Sequence, residues 1–271
     1  MNESGLDVPG LPPMTDRVIL DFIRRKVDEA GAKGVVLGLS GGVDSALVAK
    51  LCAMALGKER VKALIMPTAD SDPTDRELAV RFAGEVGMEY EVLDITPAVD
   101  ALKSMLGAAD KKAVGNIKAR VRMIALYHMA AGENRVVMGT GNKSELLTGY
   151  FTKFGDGGSD FAPIGDLYKT QVWELSRQVG VPDYIVSRKP SAGLWEGQTD
   201  EDELGMDYKT LDTVLHGIEL LKTCDEISEE TGIPPEVVRR VDRMVKKSVH
   251  KRKTPLIPKV GLRTVGLDWR E

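Results

Sequence analysis

The sequence predicts an α/β fold, an open and mainly parallel sheet with helices on both faces. Short apolar runs alternate with segments of helical period through the first half of the chain, which is the pattern of parallel strands joined by right-handed crossovers. A glycine-rich turn follows the first of these runs at once, where a ligand binds in open α/β sheets. The 271 residues, 42% hydrophobic and 29% charged, have the composition of a globular chain with a sizeable core. One domain over 1–271 is expected, with a core at about 15–180, a C-terminal helical extension, and lid-like loops at 150–166 and 189–205.

Each element has its own local reason. Ile19, Phe22, Ile23 and Val27 fall at helical spacing after Thr15 and Asp16, which are expected to cap, and Gly31 supplies a stop. The apolar run 35–39 reads as a strand buried on both faces, and 45–56 as a helix ending at Gly57. Strand 61–66, helix 74–86, strand 89–95, helix 116–131 and strand 135–140 continue the alternation. After Thr140 it stops. The segment 150–166 carries Gly155, Gly157, Gly158 and Gly165 just after Gly149, and 189–205 carries Pro190, Gly193, Gly197 and five acidic residues. Both read as functional loops. Helices are expected at 169–179, 207–221 and 235–249, the last followed by His250-Lys251-Arg252-Lys253.

Composition excludes several classes. With 37 Lys plus Arg against 41 Asp plus Glu, the formal charge is −4, which argues against a nucleic-acid-binding protein. Cys52 and Cys224 are far apart and form no Cys-x-x-Cys pair, so zinc clusters, disulfide frameworks and dithiol redox sites lack their ligands. The stretch 1–10 has no targeting pattern and no apolar run is long enough to span a bilayer, so a cytoplasmic chain without a membrane partner is expected.

The chemistry concentrates in Ser40-Gly41-Gly42-Val43-Asp44-Ser45, between the first strand and the following helix. A helix start presents unpaired N–H groups to anions, and adjacent glycines let the backbone approach a ligand. Ser40 and Ser45 add hydroxyls, and Asp44 offers a hard oxygen for the Mg²⁺ that accompanies phosphates. A tight turn with Asp44 merely capping would need only one of these features. No Gly-Lys-Ser or Gly-Lys-Thr occurs, so P-loop transfer of a γ-phosphoryl group is disfavoured.

This loop resembles the pyrophosphate-binding loop of the N-type ATP pyrophosphatases, which transfer AMP from ATP and release pyrophosphate. The segments 116–122, 139–145 and 148–160 narrow the likeness, and so do Leu167-Tyr168-Lys169-Thr170, Lys189-Pro190-Ser191-Ala192 and His250-Lys251-Arg252. Together they resemble the NAD synthetase family over nearly the whole chain, in order. The resemblance implies an adenine nucleotide alpha hydrolase-like, Rossmann-like fold. It also implies ATP-dependent amidation of deamido-NAD⁺ to NAD⁺ with ammonia, through an acyl adenylate.

By the same resemblance, ATP is held by Gly38, Leu39, Ser40, Gly41, Gly42, Val43, Asp44, Ser45, Thr140, Lys169 and Ser191, and Mg²⁺ by Asp44 and Glu145. Arg120, Lys153, Asp160, His250 and Lys251 are implied to bind deamido-NAD⁺, with Lys169 and Asp160 as catalytic groups. Asp160 could orient ammonia or take its proton, and a loop-capping role fits equally. A homodimer with the dinucleotide at the subunit interface is implied. The chain has no room for a nitrilase-like glutaminase domain, so free ammonia is the expected nitrogen donor unless a separate glutaminase subunit supplies it. Two rivals stand beside this reading. A tRNA-modifying adenylyltransferase predicts a basic face and sulfur-carrying cysteines, and a non-catalytic nucleotide-binding module leaves Glu145 and the motif through Asp160 unexplained.

Overall fold

A computed structural model describes residues 6–107, 110–191, 193 and 199–265. Positions 192 and 194–198 of the acidic loop, including Ala192 of its motif, lie outside the described residues. The first helix, α1 (Thr15–Glu29), buries Ile19, Ile23 and Val27. Its N-cap is Met14, at φ 62°, rather than Thr15 or Asp16. Thr15 is already helical and its hydroxyl donates back to the Pro12 carbonyl at 2.7 Å, so it cannot cap the next turn.

Strand β1 (Gly34–Gly38) is followed by α2 (Val43–Leu56), β2 (Val61–Ile65), α3 (Pro73–Val86) and β3 (Glu89–Val92). Then come α4 (Thr96–Leu106), α5 (Lys111–Glu133) and β4 (Arg135–Val137). Among the described residues the four strands form one sheet in the order β3-β2-β1-β4, every pair parallel. Side-chain alternation explains the two covered faces. Val35, Leu37 and Leu39 pack with Ile23, Leu47 and Phe82 under α1, α2 and α3. Val36 and Leu64 face the other way, against Val99 of α4 and Ile117 and Val121 of α5.

The expected strands overrun the observed ones at their carboxyl ends. Beyond β3, Leu93 and Ile95 still donate to Ile65 and Pro67, at 2.9 and 3.1 Å, but the chain is already peeling into α4. Beyond β4, Met138 donates to Val36 at 2.9 Å and bridges Phe161 of the glycine-rich segment, which lies along the sheet edge. Here the strand ends are replaced by loops that carry the site.

The second half is helical: α6 (Lys143–Thr148), α7 (Lys169–Gln178), α8 (Asp183–Val186), α9 (Asp200–Leu204), α10 (Tyr208–Glu219), α11 (Cys224–Thr231) and α12 (Pro235–Lys247). Tyr168, Leu211, Val214, Ile227, Val238 and Val241 form a third buried cluster. Among the described residues no helix is long and apolar enough to cross a membrane.

Candidate functional site

The carboxyl ends of β1, β2 and β4 open into a cleft of about 610 Å³. Its floor is the turn between β1 and α2. Gly41 adopts φ +85°, and a Cβ there would stand 2.5 Å from the backbone oxygen of Asp75, so only glycine fits. The two serines shape the turn from inside: Ser40 donates its N–H to Ser45 Oγ at 3.2 Å, and Ser45 Oγ donates to the Gly42 carbonyl at 3.0 Å. Ser45 is buried, so its hydroxyl is occupied in holding the loop. All of 38–45 except Gly41 line the cleft.

At the rear wall, three elements bring charges together. Asp44, in the first turn of α2, accepts an ion-paired hydrogen bond from Lys169 Nζ and another from Asn142 Nδ2 at 2.9 Å. Asn142 caps α6, receiving the Glu145 N–H at 3.0 Å while Glu145 Oε2 accepts the Asn142 N–H at 3.1 Å. The other oxygen of Glu145 stands 3.9 Å from Lys169 Nζ. Lys169 opens α7 and is only 2% exposed.

The electrostatics follow from this enclosure. Burial, with repulsion from Asp44 added, pushes the Glu145 carboxyl well above the usual carboxylate range. Burial alone would pull the Lys169 ammonium down, but Asp44 and Glu145 outweigh it and hold its pKa above the ordinary lysine value. Asp200 of α9 extends the group; burial raises its pKa, and its Oδ2 accepts the Tyr208 hydroxyl at 3.0 Å. Tyr150, at the start of the glycine-rich segment, donates to Glu203 of the same α9, so the two expected loops meet over the cleft.

Other expected residues divide into two groups. Thr140, Ser191 and Lys251 line the cleft with the loop and Lys169. Ser191 Oγ accepts the Gly193 N–H at 3.1 Å, and Lys251 Nζ donates to the Gly149 and Phe151 carbonyls at 2.7 and 2.6 Å. Arg120, Lys153, Asp160 and His250 stand outside the lining. Three of these form a chain along the rim, Arg120 donating to the Lys153 carbonyl at 3.3 Å and Lys153 Nζ to the His250 carbonyl at 2.7 Å. Asp160 has both oxygens engaged, one accepting the Val137 N–H at 2.7 Å and the other the Tyr127 hydroxyl at 3.1 Å. It thereby ties the glycine-rich segment to β4.

Sequence reasoning missed Asn142, Asp156, Arg188 and Asp200, all placed here by tertiary structure. Asn142 has a local signal, three residues ahead of Glu145 in a capping box. Asp156 lines the cleft and accepts the Thr152 N–H at 2.9 Å. Arg188 also lines it and pairs with Asp75 at 2.6 Å, fastening the chain just ahead of Ser191 to α3. Among the described residues no three His, Cys, Asp or Glu side chains are arranged to hold a metal ion. A cation held here would therefore take Asp44 and Glu145 together with oxygens from a bound phosphate, the donor set Mg²⁺ accepts.

Comparison with known proteins places the chain in a family. Residues 16–255 match the family described as NAD synthase. The chain is 53% identical over 242 residues to the NH(3)-dependent NAD(+) synthetase of Pyrococcus horikoshii, covering 89% of this chain and 92% of the relative. Among solved structures, NMN synthetase from Francisella tularensis superposes with a TM-score of 0.82 at 36% identity, covering 92% of this chain and 99% of that one. NH3-dependent NAD synthetase from Campylobacter jejuni, in complex with the nitrate ion, gives 0.78 at 35% identity, covering 90% and 97%.

Proposed function

The chain belongs to the NAD synthase family, and we infer from that premise that it amidates deamido-NAD⁺ to NAD⁺ with ammonia, consuming ATP and releasing AMP and pyrophosphate. The observation that carries the site assignment is the convergence of the phosphate loop, Asp44, Glu145 and Lys169 in one cleft at the carboxyl end of the sheet.

A carboxylate resists attack by ammonia because its leaving group would be oxide. Transfer of AMP to the nicotinate carboxyl, with loss of pyrophosphate, supplies a better one. In this cleft the start of α2 directs its free N–H groups at the phosphates, and Gly41 and Gly42 allow close approach. Lys169 stabilises the charge that develops on the departing pyrophosphate. Because its ammonium is buried between two carboxylates, it stays protonated and fixed in place. Asp44 and Glu145 would hold Mg²⁺, which would supply further charge neutralisation on the ATP phosphates. Glu145 fits that role, since burial and repulsion from Asp44 hold its carboxyl above the usual carboxylate range and a cation beside it would offset both.

The dinucleotide is assigned to Lys251 and to the rim formed by Arg120, Lys153 and His250, with Asp160 fixing the loop that carries Lys153. Guanidinium and ammonium groups suit its pyrophosphate. A second copy of the chain completes this outer part in a homodimer. The segment 150–166 and α9, joined through Tyr150, shield the acyl adenylate from water until ammonia attacks.

The assay supplies purified chain with ATP, Mg²⁺, ammonium and deamido-NAD⁺ and follows NAD⁺ and AMP by mass spectrometry. Equimolar NAD⁺ and AMP are expected, with no turnover when glutamine replaces ammonium. Because the Francisella neighbour is an NMN synthetase, nicotinic acid mononucleotide is run as the competing acceptor. A preference for the mononucleotide would overturn the substrate assignment.

A further inference from the structure

Behind Lys169, outside the cleft lining, α10 carries Asp212, a carboxylate with 0% exposure. Its two oxygens serve two different helix starts. Oδ1 accepts the hydroxyl of Ser144, the second residue of α6, at 2.5 Å. Oδ2 accepts both the N–H and the hydroxyl of Thr170, the second residue of α7, each at 2.9 Å. Ser144 Oγ in turn accepts the Lys169 N–H at 3.0 Å. The first turn of a helix leaves its N–H groups without intrahelical partners, and here two of them in α7 end on one network.

The direction of these bonds makes the carboxylate specific. All three groups that reach Asp212 donate, and only an ionised carboxylate accepts on both oxygens without offering a proton. An asparagine would turn an N–H₂ toward one helix start or the other. No basic side chain is hydrogen-bonded to Asp212 among the described residues, so its ionisation is supported by neutral donors and by Lys169 at longer range. Burying a carboxylate in that way is costly, and a packing role would be filled more cheaply by an apolar side chain.

We infer that Asp212 is a positioning residue for adenylation, clamping the start of α6 to the start of α7 and so fixing the 3.9 Å separation of Glu145 and Lys169 across the phosphate site. This rests on the assignment of Glu145 and Lys169 to the ATP phosphates. Reactions of this kind lose about a hundredfold in rate when a reacting or stabilising group is displaced by about an ångström.

The test compares Asp212→Asn, Thr170→Val and Thr170→Ser by steady-state kinetics, with thermal melting of each variant. Asp212→Asn is expected to lower kcat on the order of a hundredfold, while KM for ammonium and for deamido-NAD⁺ stays within about twofold. Thr170→Val, which keeps the N–H and loses the hydroxyl, is expected to fall part of the way, and Thr170→Ser to restore wild-type kcat. The serine–valine pair decides the matter if Asp212→Asn does not fold. Wild-type kcat in Asp212→Asn, or equal kcat in the valine and serine variants, overturns the inference. A loss confined to melting temperature does the same, since a merely structural group would give it. Lys169→Ala, measured alongside, separates the underlying assignment. A fully active Lys169→Ala refutes the role of Lys169, whereas an inactive one beside a fully active Asp212→Asn refutes the clamp alone.

Discussion

Asp44 meets two demands, pairing with a buried ammonium and facing the proposed phosphate site, and its replacement separates them. In Asp44→Asn the Lys169 charge is not stranded, because Glu145 stands 3.9 Å away and loses the Asp44 repulsion that, after burial, helps hold its carboxyl above the usual range. A stability loss of about 1–2 kcal/mol is therefore expected, below the 3–5 typical of a broken buried pair. Pyrophosphate release should fall by a factor on the order of 10²–10³, the size of effect seen when one preorganised charge-stabilising group is lost. Urea titration and a pyrophosphate assay at ordinary Mg²⁺ check the two halves; an unchanged release rate refutes the role of Asp44. Gly41 presents the opposite case, backbone without chemistry. Gly41→Ala combines φ +85° with a 2.5 Å approach to the Asp75 oxygen, so it should cost about 1–3 kcal/mol and raise KM for ATP. Binding of ATP by calorimetry checks this, and wild-type affinity would place the phosphates elsewhere.

At the scale of elements, the packing of α10 against the starts of α6 and α7 carries a pH signature. Burial pushes the Asp212 carboxyl up to about 6, from 3.8 when exposed. Between those values the folded chain holds a proton that the unfolded chain has released, so the contribution of Asp212 to stability falls as pH rises through the window. The change is about 3 kcal/mol. Asparagine does not titrate, so Asp212→Asn should gain about that much relative to wild type between pH 4 and pH 7 by urea unfolding. A difference independent of pH would mean that the carboxyl is not shifted. Legibility also varies by element. Helices α2, α3 and α7 and the loop 40–45 were readable because their signals are local: period, caps and a glycine pair. Helix α4 was missed between an expected strand and an expected helix, where Pro97 marks its first turn and only Val99 is fully buried. Helices α6, α8 and α9 have six, four and five residues, too short for periodicity to show. In the candidate site, Asp44, Glu145 and Lys169 carry motif signals and lie in one cleft, whereas Asp200 and Asp212 gain their meaning only from packing between segments far apart in sequence.

For the whole molecule, the volume of the cleft bears on assembly. About 610 Å³ lies within the range of a pocket for a single drug-sized ligand, yet the reaction unites ATP with a dinucleotide. The proposed dinucleotide site accordingly extends beyond this lining to Arg120, Lys153 and His250. Beside that region Ile124, one turn beyond Arg120 on α5, is 60% exposed. The proposed homodimer would bring a second copy of the chain against this side of α5. Ile124→Asp places a charge there without disturbing the core of one copy. Sedimentation should show the wild type as a dimer and the variant as a monomer with an unchanged melting transition at low protein concentration. Kinetically, KM for deamido-NAD⁺ should rise at least tenfold while KM for ATP stays near wild type, because the phosphate loop, Asp44, Glu145 and Lys169 all belong to one copy. A monomeric wild type of full activity would refute the shared site. A variant that dissociates yet keeps its affinity for the dinucleotide would show that Arg120, Lys153 and His250 hold it within a single chain.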